Sequence, residues 1–141
     1  VAVRINRTVL NLEKDLLLVA CYVVPEHGPL YDSMEIKEGV VNLEESILQI
    51  TQNEDLNMMI IGDLNGRTGC EQPMNESMLN YVPGQNGEEN DDDVFFRKSK
   101  DTIVNNFGQS LLNLCFMFNC VILNGCCNND FSGDFTHVSP H

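Results

Sequence analysis

Two short apolar runs, with a stretch of helical periodicity between them, constrain most tightly what this chain can fold into. The first is Asp-Leu-Leu-Leu-Val-Ala-Cys-Tyr-Val over 15–23, and the second is Leu-Asn-Met-Met-Ile-Ile over 56–61, which stops abruptly at Gly62. Runs of this length that are rich in branched residues read as buried strands. Between them, within 34–52, Val40, Leu43, Ile47 and Ile50 recur at helical spacing, with Glu44, Glu45 and Gln49 on the other face. Strand, helix and strand in that order imply neighbouring strands joined by a crossover helix packed on the sheet, the α/β class. Val1–Ile5 alternates as a further strand, set off by a polar turn.

The second run delivers polar residues where it ends: Gly62-Asp63-Leu64-Asn65-Gly66-Arg67-Thr68-Gly69. In α/β proteins ligands bind beyond the carboxyl ends of the strands. Gly62 permits a tight turn or the close approach of a substrate, and Asp63 and Asn65, two apart on an extended segment, are expected to point the same way. A carboxylate there can orient or deprotonate a water, and an amide can donate a hydrogen bond. The plainer role for both is turn formation, which Asp and Asn favour at such positions.

From Cys70 to Lys100 periodicity is lost, and Pro73, Pro83, Gly84, Gly87 and the acidic run 88–93 describe a long loop. That run lacks the glycine and glutamate placement of a calcium-binding EF-hand loop and reads as a solvated stretch. A second amphipathic helix is expected over Asp101–Phe118, a buried strand over Val121–Leu123 and an edge-like strand over Phe135–Val138.

With 141 residues, 43% of them hydrophobic, the chain can bury a core of single-domain size. It has no apolar stretch long enough to span a bilayer and no signal-peptide pattern, which reads as soluble, intracellular and without a membrane partner. Six cysteines without secretory context or close metal-binding pairs read as reduced thiols. His27, His137 and His141 have no catalytic motif around them, and no serine sits in a nucleophile elbow. Eight Lys+Arg against 21 Asp+Glu, a net charge of −13, argue against a nucleic-acid surface, because polyanion binding normally needs a basic one.

Gly62–Gly69 nevertheless resembles the Gly-Asp-Phe-Asn-Ala-Arg-x-Gly signature of the endonuclease/exonuclease/phosphatase superfamily, in the form carried by non-LTR (LINE-type) retrotransposons. Other stretches keep the family's order. Val19–Pro25 is similar to its strand ending in Tyr-x-x-Pro, continued by Tyr31 and Asp32. Arg97–Asp101 and Asn106–Cys115 are similar to its Arg-x-Ser-x-Asp and its Asn-x-Gly-x-x-Leu-Leu-x-Leu-Cys helix. Val121–Gly125 and Asp130–Thr136 match a later strand, turn and strand. Leu64 replaces the usual Phe, and Cys126 stands where relatives usually have Arg.

The resemblance implies a DNase I-like four-layer sandwich, two packed β-sheets flanked by helices. Residues 1–141 would form the central part of one such domain, with a variable acidic loop at about 70–100. The family's first strands, carrying an Asn and the Glu that holds the divalent metal, would precede Val1. Its Ser-x-Ile-Asp strand and Ser-Asp-His loop would follow His141, and the chain does not begin with methionine. Implied activity is Mg²⁺- or Mn²⁺-dependent phosphodiester hydrolysis that nicks target DNA for reverse transcription, with a reverse transcriptase in the parent polyprotein and a nuclear location. By the same resemblance Asp63 activates the attacking water, Asn65 holds that water or the scissile phosphate, Tyr22 points at the phosphate and Thr136 lies near the substrate. These residues do not separate DNA from RNA or a small phosphorylated substrate. Lacking the metal-holding Glu and the histidine, the chain by itself is expected to be inactive. The alternative is a catalytically dead remnant or a domesticated, non-enzymatic binding module.

Overall fold

The computed structural model describes residues 1–25, 28, 39–52, 54–73, 97–126, 130, 133 and 134. The chain forms two compact units, Val1–Gly66 and Arg67–His141. The architecture is α/β, with a three-stranded sheet and helices among the described residues.

In the first unit β2 (Leu16–Tyr22) is the central strand, between β1 (Ala2–Ile5) and β3 (Asn57–Asp63). β1 runs antiparallel to β2, pairing Ala2 with Val19 and Ile5 with Leu16. β3 runs parallel to β2, from Leu16 opposite Asn57 to Tyr22 opposite Asp63. Parallel neighbours need a crossover, and α2 (Gly39–Thr51) lies in that connection, as the strand–helix–strand reading requires. One turn, α1 (Arg7–Leu10), joins β1 to β2. The Asn6 side chain caps it by accepting from the Thr8 N–H at 3.0 Å, and Asn11 closes it at φ +53°.

Side chains alternate across the sheet, so one face of β2 carries Leu17, Val19 and Val23, all buried. The other face carries Leu16 and Leu18, half-buried, and Ala20 and Tyr22, exposed. The apolar run is therefore not buried on both sides, and β3 is likewise open at Met59 and Ile61. In α2 the buried residues are Val40, Ile47 and Thr51, whereas Ile50 is exposed. At 3.6 residues per turn Ile50 lies about 80° around the axis from Val40, while Ile47 and Thr51 lie within about 20° of it. The apolar spacing that seemed to include Ile50 falls off the buried stripe.

The second unit is organised by α3 (Asn106–Met117), which buries Phe107, Leu111, Leu112, Leu114 and Cys115. The helix starts five residues later than the expected Asp101. Asn105 is its cap, accepting from the Gly108 N–H at 2.8 Å. The residues before it hold other bonds, with Val104 bridging Thr68 and the Asp101 carboxylate accepting from the Ile103 N–H at 3.1 Å. No strand forms over Val121–Leu123. There the Gln72 side-chain amide takes the place of a strand partner, donating to the Ile122 carbonyl at 2.9 Å and accepting from its N–H at 2.8 Å, and Val121 and Leu123 are exposed. The expected edge strand Phe135–Val138 and most of the acidic loop lie outside the described residues. Among the described residues, no helix is long and apolar enough to cross a membrane.

Candidate functional site

The carboxyl ends of the parallel pair β2 and β3 bring Tyr22 and Asp63 together. The two residues are register partners on adjacent strands and share the open face of the sheet. Both are exposed, Tyr22 at 61%, so the tyrosine is no buried strand-end aromatic. The Val23 N–H donates to the Asp63 carbonyl at 2.8 Å, extending the pairing one step past the strands.

β3 passes through Gly62 and ends at Asp63. At Gly62 φ is +140°, and a Cβ there would lie 1.8 Å from the Cys21 carbonyl oxygen, so the close approach at this glycine is one of β2 backbone. Asp63 then accepts the Asn65 N–H on Oδ1 at 3.1 Å, a side-chain turn, and Asn65 adopts φ +47°. This corrects the expectation that Asp63 and Asn65 lie two apart on an extended segment and point the same way. Asn tolerates the left-handed region and Asp favours the turn, so the chain bends where the strand pattern seemed to continue. The Asn65 Nδ2 instead donates to the Val23 carbonyl at 2.8 Å, tying the loop after β3 to the end of β2. Val23 is thereby held at both backbone groups.

Asp63 thus has one carboxylate oxygen in the turn and is otherwise open to solvent. Thr136 lies outside the described residues. Magnesium keeps several of its waters and is held through one or two protein carboxylates together with substrate phosphate. Among the described residues no group of three or more His, Cys, Asp or Glu could hold a metal ion, and Asp63 is the single acid at the β2–β3 end. Among the described residues this end of the sheet offers magnesium one carboxylate, Asp63.

In the second unit the remaining motif residues hold one another. Arg67 donates from Nε and Nη2 to the two Asp101 carboxylate oxygens at 2.8 and 2.7 Å, a fork-on-carboxylate pair. That guanidinium, ahead of the Ile103 N–H, keeps the Asp101 carboxyl below its usual range. Asn105 Oδ1 also accepts the Arg67 N–H at 2.9 Å. Arg97, 7% exposed, donates to the Thr68 hydroxyl at 2.7 Å and to the carbonyls of Gly69 and Glu71. Burial lowers its affinity for the proton. The roles of Asn105 and Arg97 went unread in the sequence. An Asn just before an apolar-periodic run is a capping signal that could have found the first. Nothing local marks an arginine as buried.

Cys21, Cys70, Cys115 and Cys120 are free thiols. Burial first, and then neighbouring Cys120, push Cys115 up to about 12, which makes it a core residue with no nucleophilic use at neutral pH. Comparison with protein-family models, curated proteins and solved structures finds no match to this chain.

Proposed function

We propose that the β2–β3 end is part of a phosphodiesterase site of the endonuclease/exonuclease/phosphatase kind, in its non-LTR retrotransposon form. In this proposal the sheet and its crossover helix belong to a DNase I-like sandwich whose target is DNA and whose parent polyprotein carries a reverse transcriptase, acting in the nucleus. The observation that carries it is the register pair Tyr22 and Asp63. Two residues 41 positions apart, each picked out by a separate motif, are neighbours on one face at the strand ends where α/β proteins do chemistry. Asp63 orients a water and takes its proton. Tyr22 offers its hydroxyl to the phosphate. Asn65 acts mainly by fixing the loop against Val23, with its second amide N–H left to meet an oxyanion. Thr136 is assigned to the substrate side. The family's divalent cation would need ligands from outside this set, and every step here uses protein groups alone.

A second reading, a non-catalytic binding module, is favoured by charge. Against a net −13, Arg4, Lys14, Arg67 and Lys100 are each engaged by carboxylates and Arg97 is buried, which leaves few cations for a polyanion. Nicking of supercoiled plasmid in magnesium or manganese buffer separates the two. Nicking by the chain that disappears in Asp63→Ala supports the nuclease and ends the second reading. Equal nicking by the variant defeats the assignment of Asp63.

A further inference from the structure

The turn that ends α3 places two cysteines at the pair of positions whose side chains such a turn brings together. Asn119, the residue after the cap Phe118, is left-handed at φ +51°. Its N–H donates to the Phe116 carbonyl at 3.4 Å, and the Cys120 N–H donates to the Cys115 carbonyl at 2.8 Å. These two bonds define a Schellman turn, in which the third residue before the cap meets the second residue after it. Here those residues are Cys115 and Cys120. We propose that Cys115 and Cys120 are a redox pair that closes into a disulfide across the end of α3 when glutathione disulfide or a similar disulfide oxidant reaches it.

The backbone already stands at bridging distance. A hydrogen-bonded pair of this kind holds its Cα atoms about 5.5 Å apart, as between paired strands, and disulfides span about 4.4–6.8 Å. Access sets the order of events. Cys115 is 6% exposed and Cys120 is half-buried, so the oxidant meets Cys120 first. The Cys120 thiol is held only by a weak bond to the Phe118 carbonyl at 3.6 Å.

The exchange runs in two steps. Cys120 loses its proton to solvent, and its thiolate attacks one sulfur of glutathione disulfide, which breaks the S–S bond and releases one glutathione thiolate. The Cys115 sulfur then attacks the Cys120 sulfur of the mixed disulfide, its proton leaves for solvent, and the second glutathione departs. Two electrons pass from the protein sulfurs to glutathione. Burial first, and then Cys120, raise the Cys115 thiol against the pull of Arg97, and burial raises Cys120. The reaction is therefore slow at neutral pH, and the second step relies on the two sulfurs being held side by side. The product fastens the last turn of α3 to the chain leading to Ile122, which the Gln72 amide already holds. A link across so few residues takes little entropy from the unfolded chain, so its effect is on this turn rather than on the whole unit.

Peptide mapping of the full chain after equilibration with mixtures of reduced and oxidised glutathione, quenched with acid and alkylated in denaturant, tests the pairing. The expected product has lost two hydrogens and carries a Cys115–Cys120 link, and it forms about tenfold faster for each unit of pH as the thiolate fraction rises. Cys115→Ser should stop at the glutathione adduct on Cys120. Cys120→Ser, at the less buried position, should leave Cys115 fully alkylatable, and Cys70→Ser should change nothing. Cys115 and Cys120 both alkylatable at every glutathione ratio and pH, or either of them linked to a different cysteine instead, overturns the proposal. Neither the pairing nor its readout depends on the nuclease reading.

Discussion

Replacing Gly62 by Ala tests the geometry at the end of β3 most directly. Gly62 sits at φ +140°, a region essentially reserved for glycine, and holding another residue there costs about 1–3 kcal/mol. The added Cβ would fall 1.8 Å from the Cys21 carbonyl oxygen and 2.8 Å from its carbon, both backbone atoms of the paired strand. No side chain can rotate to relieve that contact. Relief requires the last residues of β2 and β3 to move apart, which puts the Val23-to-Asp63 bond and the Asn65-to-Val23 bond at risk, about 1 kcal/mol each. The sum is about 3–5 kcal/mol, a large share of the roughly 5–15 kcal/mol that stabilises a typical domain. Gly69→Ala is the comparison. It also demands positive φ, +54°, but its nearest neighbour is a Val104 methyl at 3.2 Å, so about 1 kcal/mol is expected. Urea unfolding followed by far-UV circular dichroism yields both values by linear extrapolation. A Gly62→Ala cost below about 1 kcal/mol, or no larger than that of Gly69→Ala, would refute the close β2–β3 approach from which the magnitude is worked.

The other predictions concern hydrogen bonds and charge. Asn65→Ala should lose about 1–2 kcal/mol, through the Val23 tie and the left-handed backbone, and Asn65→Gly should recover the backbone part only; equal losses in the two variants would argue against the strained backbone. Asn105→Ala should cost about 1–2 kcal/mol because the Gly108 and Arg67 N–H groups both lose their acceptor, whereas Asn105→Asp keeps one; thermal melts of the pair decide it. Asp101 has its carboxyl pKa depressed by Arg67, so its folded value lies below its unfolded one. Its contribution is complete above the unfolded value near pH 4 and is lost as pH falls through the folded value. Acid titration of stability should accordingly be shallower below about pH 4 in Asp101→Asn than in the parent, and superimposable curves would remove the pair from the acid response. As set out above, Asp63→Ala should abolish any metal-dependent plasmid nicking.

Local pattern by itself determined the strands β1, β2 and β3 and the crossover helix, because alternation, run length and helical spacing are properties of neighbours in sequence. Ala2–Ile5, Leu16–Tyr22 and Asn57–Asp63 fall within a residue or two of the apolar runs that announced them, and α2 lies inside its expected span. The strand–helix–strand order also implied the adjacency that puts Tyr22 beside Asp63. Tertiary structure alone decided the rest. Whether an apolar run is buried on one face or two depends on what packs against it, and β2 and β3 look the same in sequence either way. Val121–Leu123 has the composition of a strand, but a strand needs a partner, and the Gln72 amide 50 residues away holds Ile122 instead. The orientation of Asn65 turned on a backbone bend at φ +47° that its own preference permits and only the bond to Val23 selects. Arg97 looks like a surface cation in sequence and becomes a buried clamp because the carbonyls of Gly69 and Glu71 and the Thr68 hydroxyl come to it in the fold. Sequence carries local preference, whereas burial and partnership are settled between residues far apart in the chain, at energies that override those preferences.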